Sequence, residues 1–304
     1  MAISIWQGVL PALTTCFNAD LSIDHGFVAK HARRLVEDGC SGIVVLGSLG
    51  EAAALTEDEK AAILATCVGA LRGRAPVVAG VSALTTRAAV ELAKHAESQG
   101  CAGLMILPPY VYRGDWRETK AHVAAVLRAS RLPAMLYNNP VAYGTDFLPE
   151  QIAELAEEHE NLQAVKESST DARRVTAIRA LVGDRLAVLV GVDDVLLEGI
   201  AAGAVGWISG LANAMPAESV ELCHAGLAGE RARAQELYRW LLPLLRMDTV
   251  PKFVQLIKLI QEEAGLGNAR VRPPRLPLAG GELAATQATI RQVLARREAR
   301  AVSR

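Results

Sequence analysis

One lysine stands at a place where lysines do chemistry. In the stretch Asn161-Leu162-Gln163-Ala164-Val165-Lys166-Glu167-Ser168-Ser169-Thr170-Asp171, residues Leu162 to Val165 read as a short buried strand that ends on Lys166. Ser168 to Asp171 then offer helix-capping side chains, and a helical pattern begins at about Ala172. The chain has 7 lysines among 32 basic residues. Lys30, Lys60, Lys94, Lys120, Lys252 and Lys258 fall in helical patterns, so Lys166 alone ends a strand. Two readings of it are open. It reaches solvent or pairs with a carboxylate such as Glu167. Or burial disfavours the ammonium, and the neutral amine attacks a carbonyl to form a Schiff base.

Two further residues bear on that choice. Tyr137 ends the preceding strand, and a phenol beside a forming imine can carry protons; the plainer reading is a buried tyrosine satisfying a core hydrogen bond. The loop Gly47-Ser48-Leu49-Gly50-Glu51 follows another strand. Its glycines permit a tight turn whose N–H groups hold a carboxylate, with the Ser48 hydroxyl beside them. An ordinary strand–helix turn is the simpler reading of the same residues.

Other chemistries find little support. The six histidines lie in or beside helical patterns, and no H-E-x-x-H or Cys/His cluster appears, so no metal is expected. Asp193-Asp194 read more simply as helix caps than as magnesium ligands. There is no phosphate-binding glycine motif. Cys16, Cys40, Cys67, Cys101 and Cys223 are odd in number and widely spaced, which suggests core thiols in a reducing compartment, and a cytoplasmic location is expected. With 51% hydrophobic residues, 21% charged and a net charge of −1, the composition is that of a soluble globular protein. It carries no basic stripe for nucleic acid, no apolar run of membrane length, and no leader pattern in Met1 to Gln7.

The elements that must position these residues follow from the hydrophobic pattern. Strands are expected at Gly8–Thr15, Gly42–Leu46, Pro76–Gly80, Gly103–Leu107, Pro133–Tyr137, the Lys166 stretch, Leu186–Val190 and Val205–Ser209. Helical patterns separate them, with Asp24, Thr56 (boxed with Glu59) and Thr85 or Thr86 as caps, and with Pro149 opening a helix. Asp38-Gly39, Gln99-Gly100 and Ala202-Gly203 each end a helix before a short apolar strand, which suggests left-handed glycine caps. Eight such alternations point to a (β/α)8 TIM barrel over residues 1–225, with a helical extension over 226–304. After Ser209 the chain should hold helices near 216–228, 231–245, 250–264 and 283–297, with a proline-rich tether at Arg272–Pro277. A doubly wound open sheet gives similar alternation, but calls for a glycine-rich turn after the first strand, and none is present.

Taken in order, Gly47-Ser48-x-Gly50-Glu51, Tyr137-Asn138-x-Pro140, Lys166-Glu167-Ser168 and Gly191-x-Asp193-Asp194 resemble the dihydrodipicolinate synthase / N-acetylneuraminate lyase family over nearly the whole chain. The resemblance implies a class I aldolase-type enzyme without cofactor. Lys166 would be its Schiff-base lysine and Tyr137 its proton-transfer tyrosine. Ser48, Gly47 and the backbone of Leu49 would hold a 2-oxo acid carboxylate, and the Ile208 carbonyl would face the lysine. It also implies a homodimer or homotetramer, for which Tyr110 and Tyr112 in an exposed Pro108–Tyr112 segment are the expected interface. Three positions depart from the synthase pattern. Leu49 replaces a second hydroxyl residue, Ala142 replaces an arginine, and Val111 stands where a tyrosine is lent across the dimer. These departures are similar to the deaminases of 1-pyrroline-4-hydroxy-2-carboxylate, a cyclic imine, and that is the first substrate expectation. Dihydrodipicolinate synthase activity and a 2-keto-3-deoxy sugar acid aldolase or dehydratase are the alternatives. A non-enzymatic small-molecule sensor is the alternative of a different class.

Overall fold

The computed structural model describes residues 5–302, with side chains through Arg297. Met1 to Ser4, part of the segment read for a leader, lie outside the described residues. Eight parallel strands form one sheet: β1 (Gly8–Pro11), β2 (Ile43–Val45), β3 (Val77–Val81), β4 (Gly103–Ile106), β5 (Ala134–Asn138), β6 (Leu162–Glu167), β7 (Ala187–Val190) and β8 (Gly206–Ser209). Their spatial order is β1-β8-β7-β6-β5-β4-β3-β2. A bridge from Ala12 to Val44 joins the two ends, with the Leu13 N–H donating to the Val44 carbonyl at 2.8 Å. The sheet therefore closes on itself, which excludes the doubly wound alternative. The strands are short apolar runs because both of their faces are covered. Side chains such as Leu104, Met105, Leu136 and Val165 fill the barrel and its wall.

The helices between strands are α1 (His25–Glu37), α2 (Glu57–Leu71), α3 (Thr86–Ser98), α4 (Trp116–Ala129), α5 (Pro140–Tyr143), α6 (Pro149–Glu158), α7 (Arg173–Val182) and α8 (Leu196–Ala201). Beyond β8 come α9 (Pro216–Leu227), α10 (Arg231–Leu245), α11 (Phe253–Glu263) and α12 (Gly280–Val302). Asp24 accepts from the Phe27 N–H, Thr56 and Glu59 form the expected capping box, and Thr85 rather than Thr86 caps α3. Gly39, Gly100 and Gly203 have φ of 100°, 86° and 106°, the left-handed conformation expected of them. Among the described residues no helix is long and apolar enough to cross a membrane. All five cysteines are free and buried.

The structure differs from the expectations at four places. The β1 ladder stops at Pro11. Beyond it Thr14 is tied by side chains instead, its N–H to Asn213 and its hydroxyl to Gln261 at 2.7 Å. The Asp193–Ala202 helix is split into a 3-10 turn at Asp193–Val195 followed by α8. The one-turn helix α5 was not expected at all. The Arg272–Pro277 stretch is a fastened strap. The Arg272 guanidinium bonds both Glu59 oxygens at 2.6 and 2.7 Å, and the backbone N–H of Arg272 donates to Glu51 at 3.0 Å.

Candidate active site

Side chains alternate along β6, so Leu162, Ala164 and Lys166 share one face and Val165 and Glu167 share the other. Lys166 stands directly opposite Tyr137 in the β5–β6 ladder. Its Nζ lies 4.0 Å from the centroid of the Tyr137 ring. Both residues are nearly buried, at 6% and 5% exposure. The Lys166 amine makes no hydrogen bond or ion pair within 4 Å among the described residues. Glu167 points the other way. It accepts from the Ser169 N–H at 2.6 Å and from Asn138 at 3.0 Å, and lies 3.8 Å from Arg174. The pairing of Lys166 with Glu167 is thus not formed. Room for the lysine comes from Gly191 after β7. A Cβ there would sit 2.5 Å from Lys166 Cε and 2.0 Å from Ser168 Oγ.

Lys258 on α11 is the second deeply buried lysine, and its setting is opposite. Its ammonium donates to Glu51 at 2.9 Å and to the Thr15 carbonyl at 2.8 Å, over the Phe17 ring at 4.5 Å. Burial pulls its pKa down and Glu51 opposes that pull. A lysine so engaged is a structural cation, not a nucleophile.

The Tyr137 oxygen accepts from the Asn139 amide at 3.0 Å, which leaves its own proton free to go elsewhere. The other end of that amide accepts from the Ala142 N–H at 2.9 Å and so caps α5. One asparagine therefore fixes both the phenol of Tyr137 and the helix that follows. α5 ends at Gly144, with φ of 71°, and delivers Tyr143 over the mouth. The Tyr143 hydroxyl is hydrogen-bonded to Ser48 Oγ. Its ring stands edge-on to Tyr137 at 5.7 Å and to Tyr110 at 5.6 Å. Burial raises the Tyr143 pKa, and the neighbouring phenols of Tyr137 and Tyr110 raise it further. Tyr143 and Asn139 were missed in the sequence. The signal was present as a capping Asn139, Pro140 at the first helical position and Gly144 as terminator, which together specify one helical turn.

Ser48 is thus joined to the tyrosine cluster. The N–H groups of Ser48 and Leu49 take no hydrogen bond among the described residues, whereas Glu51 N–H returns to the Ser48 carbonyl at 3.1 Å. The Leu49 side chain is buried, and Gly47 lies against Met105, which fills the barrel beneath. Ile208 lies on β8 opposite Leu10, with its side chain in the core. The exposed Pro108–Tyr112 segment needs correction. Tyr110 is half-buried and turned into the site, because its ring packs on Tyr143. Burial raises its pKa, against hydroxyls of Ser48, Tyr143 and Ser82. Tyr112 is exposed, its hydroxyl bonded to Glu118.

Asp193 also differs from the expectation that it caps its own helix. Its carboxylate accepts from Trp207 Nε1 at 2.9 Å and from the N–H groups of Leu211 and Gly210 at 2.8 and 3.2 Å. It fastens the loop after β8. Burial pushes its pKa up to about 6 against those donors and Lys166. Behind Gly210 lies Asp248, whose Oδ1 is buried without a partner. Burial, then Asp193, raise the Asp248 pKa well above the usual carboxylate range. Among the described residues no group of three or more His, Cys, Asp or Glu side chains is arranged to hold a metal ion.

Relatives share this arrangement of strands. Residues 6–293 match the model of the dihydrodipicolinate synthetase family. A 4-hydroxy-tetrahydrodipicolinate synthase of Chelativorans sp. (strain BNC1) is 36% identical over 79% of this chain and 82% of its own length. One from Methanothrix thermoacetophila is 34% identical over 90% of this chain and 92% of its own. Among solved structures, a prophage protein of E. coli K12, in complex with pyruvate, superposes with a TM-score of 0.90 at 28% identity, covering 95% of this chain and 99% of its own. A closed eight-stranded barrel and a match over nearly the whole chain lead to one conclusion: this protein belongs to the dihydrodipicolinate synthetase family.

Proposed function

We propose that the protein is a lysine Schiff-base lyase acting on a small 2-oxo acid. The observation that carries this reading is a nearly buried Lys166, unpaired with any carboxylate, set 4.0 Å from the Tyr137 ring. The substrate carboxylate would lie against the Ser48 hydroxyl and the N–H groups of Ser48 and Leu49. The Lys166 amine adds to the C2 carbonyl and gives a carbinolamine. Tyr137 protonates the carbinolamine oxygen, which leaves as water, and the imine forms. Its nitrogen then draws electrons from C3, so a C3 proton is lost or a C3–C4 bond breaks.

The subsequent step is the finer question. The names of the relatives favour condensation of pyruvate with an aldehyde acid such as aspartate semialdehyde. Ala142 offers no guanidinium to that second carboxylate. However, the Arg113 guanidinium lies against Gly144, two residues further on, where a Cβ would sit 2.2 Å from Arg113 Cζ. It makes no ion pair within 4 Å among the described residues and supplies a cation on that side of the mouth. The cyclic-imine deaminase reading rests on Leu49, Ala142 and Val111 alone, and the relatives' names do not add to it.

The test is borohydride reduction with pyruvate and mass mapping, which should give one adduct per chain at Lys166. An adduct elsewhere, with Lys166→Ala still active, overturns the assignment. Turnover assays with aspartate semialdehyde, with 1-pyrroline-4-hydroxy-2-carboxylate and with 2-keto-3-deoxy sugar acids then choose the reaction.

A further inference from the structure

Lys166 and Tyr137 are nearly sealed, yet imine formation must move protons between them and solvent. Tyr143 is the group placed to do so. It is partly exposed at the mouth, hydrogen-bonded to Ser48 and edge-on to Tyr137. Its position is fixed twice over. Asn139 caps α5 with one amide atom and holds the Tyr137 oxygen with the other. Arg113 packs against Gly144 at the other end of α5. Val111, by contrast, is 86% exposed.

We propose that Tyr143 is the proton-relay residue of this site, linking Ser48 and the solvent to Tyr137, and that each chain supplies it to its own Lys166. This rests on the Schiff-base reading above. When Tyr137 gives its proton to the carbinolamine oxygen, water leaves and a phenolate remains. Tyr143 reprotonates that phenolate, and Ser48 or solvent restores Tyr143. The loss of a proton from C3 runs the same path in reverse. Burial beside the phenols of Tyr137 and Tyr110 raises the Tyr143 pKa, so its hydroxyl is protonated at rest. No tyrosine from a second subunit is needed.

Deuterium uptake at C3 of pyruvate, followed by NMR in D2O, reads this step without a second substrate. Tyr143→Phe keeps the ring packing and removes only the hydroxyl. Uptake should fall at least about a hundredfold, within the range of about 10²–10⁴ typical of lost acid–base help, with pyruvate affinity changed by less than about threefold. Ser48→Ala combined with Tyr143→Phe should be no worse than the poorer single variant, because both break one path. Wild-type uptake in Tyr143→Phe overturns the relay, as does a double variant that loses the product of both effects. A loss of affinity equal to the loss of rate reduces Tyr143 to a packing residue and overturns it too. Mixing Tyr143→Phe chains with Lys166→Ala chains tests the second half. Activity should not be restored, and restoration shows supply from a partner. If the wild-type protein neither exchanges C3 protons nor traps pyruvate at Lys166, the Schiff-base reading itself has failed. The variants then play no part in that result.

Discussion

Lys166 depends on Gly191 as directly as on its own strand. A methyl group at Gly191 would lie 2.5 Å from Lys166 Cε and 2.7 Å from Cγ, so the lysine must leave its present place beside Tyr137. Misplacing a reacting group by about 1 Å can cost roughly 10² in rate. Gly191→Ala is therefore expected to slow borohydride trapping at Lys166 by about that factor while the protein remains folded; an unchanged trapping rate counts against this geometry. Tyr137→Phe should lower kcat by about 10²–10⁴ with a smaller effect on KM. Full turnover would make Tyr137 a packing residue. Asp193 and Asp248 give a prediction in pH. A carboxyl whose folded pKa is raised holds its proton more tightly in the folded state. Its contribution favours folding at low pH and is lost as pH rises, for Asp193 between its ordinary 3.8 and about 6. Asp248 shifts in the same direction. Asp248→Asn should therefore gain stability over wild type as pH rises from 4 to 7, measured by urea unfolding at each pH. A difference that shrinks over that window contradicts the account. The placement of Lys166 opposite Tyr137 was legible in the sequence because a period of two and a strand end fix where each side chain points. Asp248 was not, since nothing near it in sequence shows that its turn folds back onto Gly210.

At the scale of elements, strand ends fell within a residue or two of their expected places, except in β1. Short apolar runs bounded by glycine and proline mark themselves well. The errors lie where tertiary contacts override local pattern. β1 loses its ladder because Gln261 on α11 and Asn213 take over the polar atoms of Thr14. The strap at Arg272–Pro277 reads as a tether in sequence, and only the fold brings Arg272 to Glu59 and Glu51. The buried pair of Lys258 and Glu51, at 1% and 0% side-chain exposure, anchors α11 to the loop that carries Ser48. Removing one partner of such a pair leaves an uncompensated charge, at a typical cost of about 3–5 kcal/mol. Glu51→Gln should thus destabilise the protein markedly. Glu51→Gln with Lys258→Met should recover much of the loss, since both charges are then gone. Urea midpoints for the two variants check this, and a double variant no better than the single one refutes the ion-pair account.

The whole molecule leaves an apolar face uncovered on one side of its mouth. Leu84, Val111 and Val141 are 72%, 86% and 73% exposed, and they follow β3, β4 and β5, three neighbouring strands. Val111 also holds φ at 70°, a left-handed backbone that costs a β-branched residue of order 1–3 kcal/mol. Strain that presents a valine to water makes sense if a second subunit covers it. The barrel itself was legible from eight alternations, but this face was not, because exposure of a loop valine depends on how three separated loops meet. Sedimentation at micromolar concentration is expected to give a dimer or a larger assembly, and Val111→Asp should shift it toward the monomer. A wild-type protein that sediments as a monomer removes the interface. If the Val111→Asp monomer still traps pyruvate at Lys166, subunit contact serves stability, and each barrel is a complete site. A monomer that traps none, with its fold intact by circular dichroism, means instead that the neighbouring chain completes the chemistry.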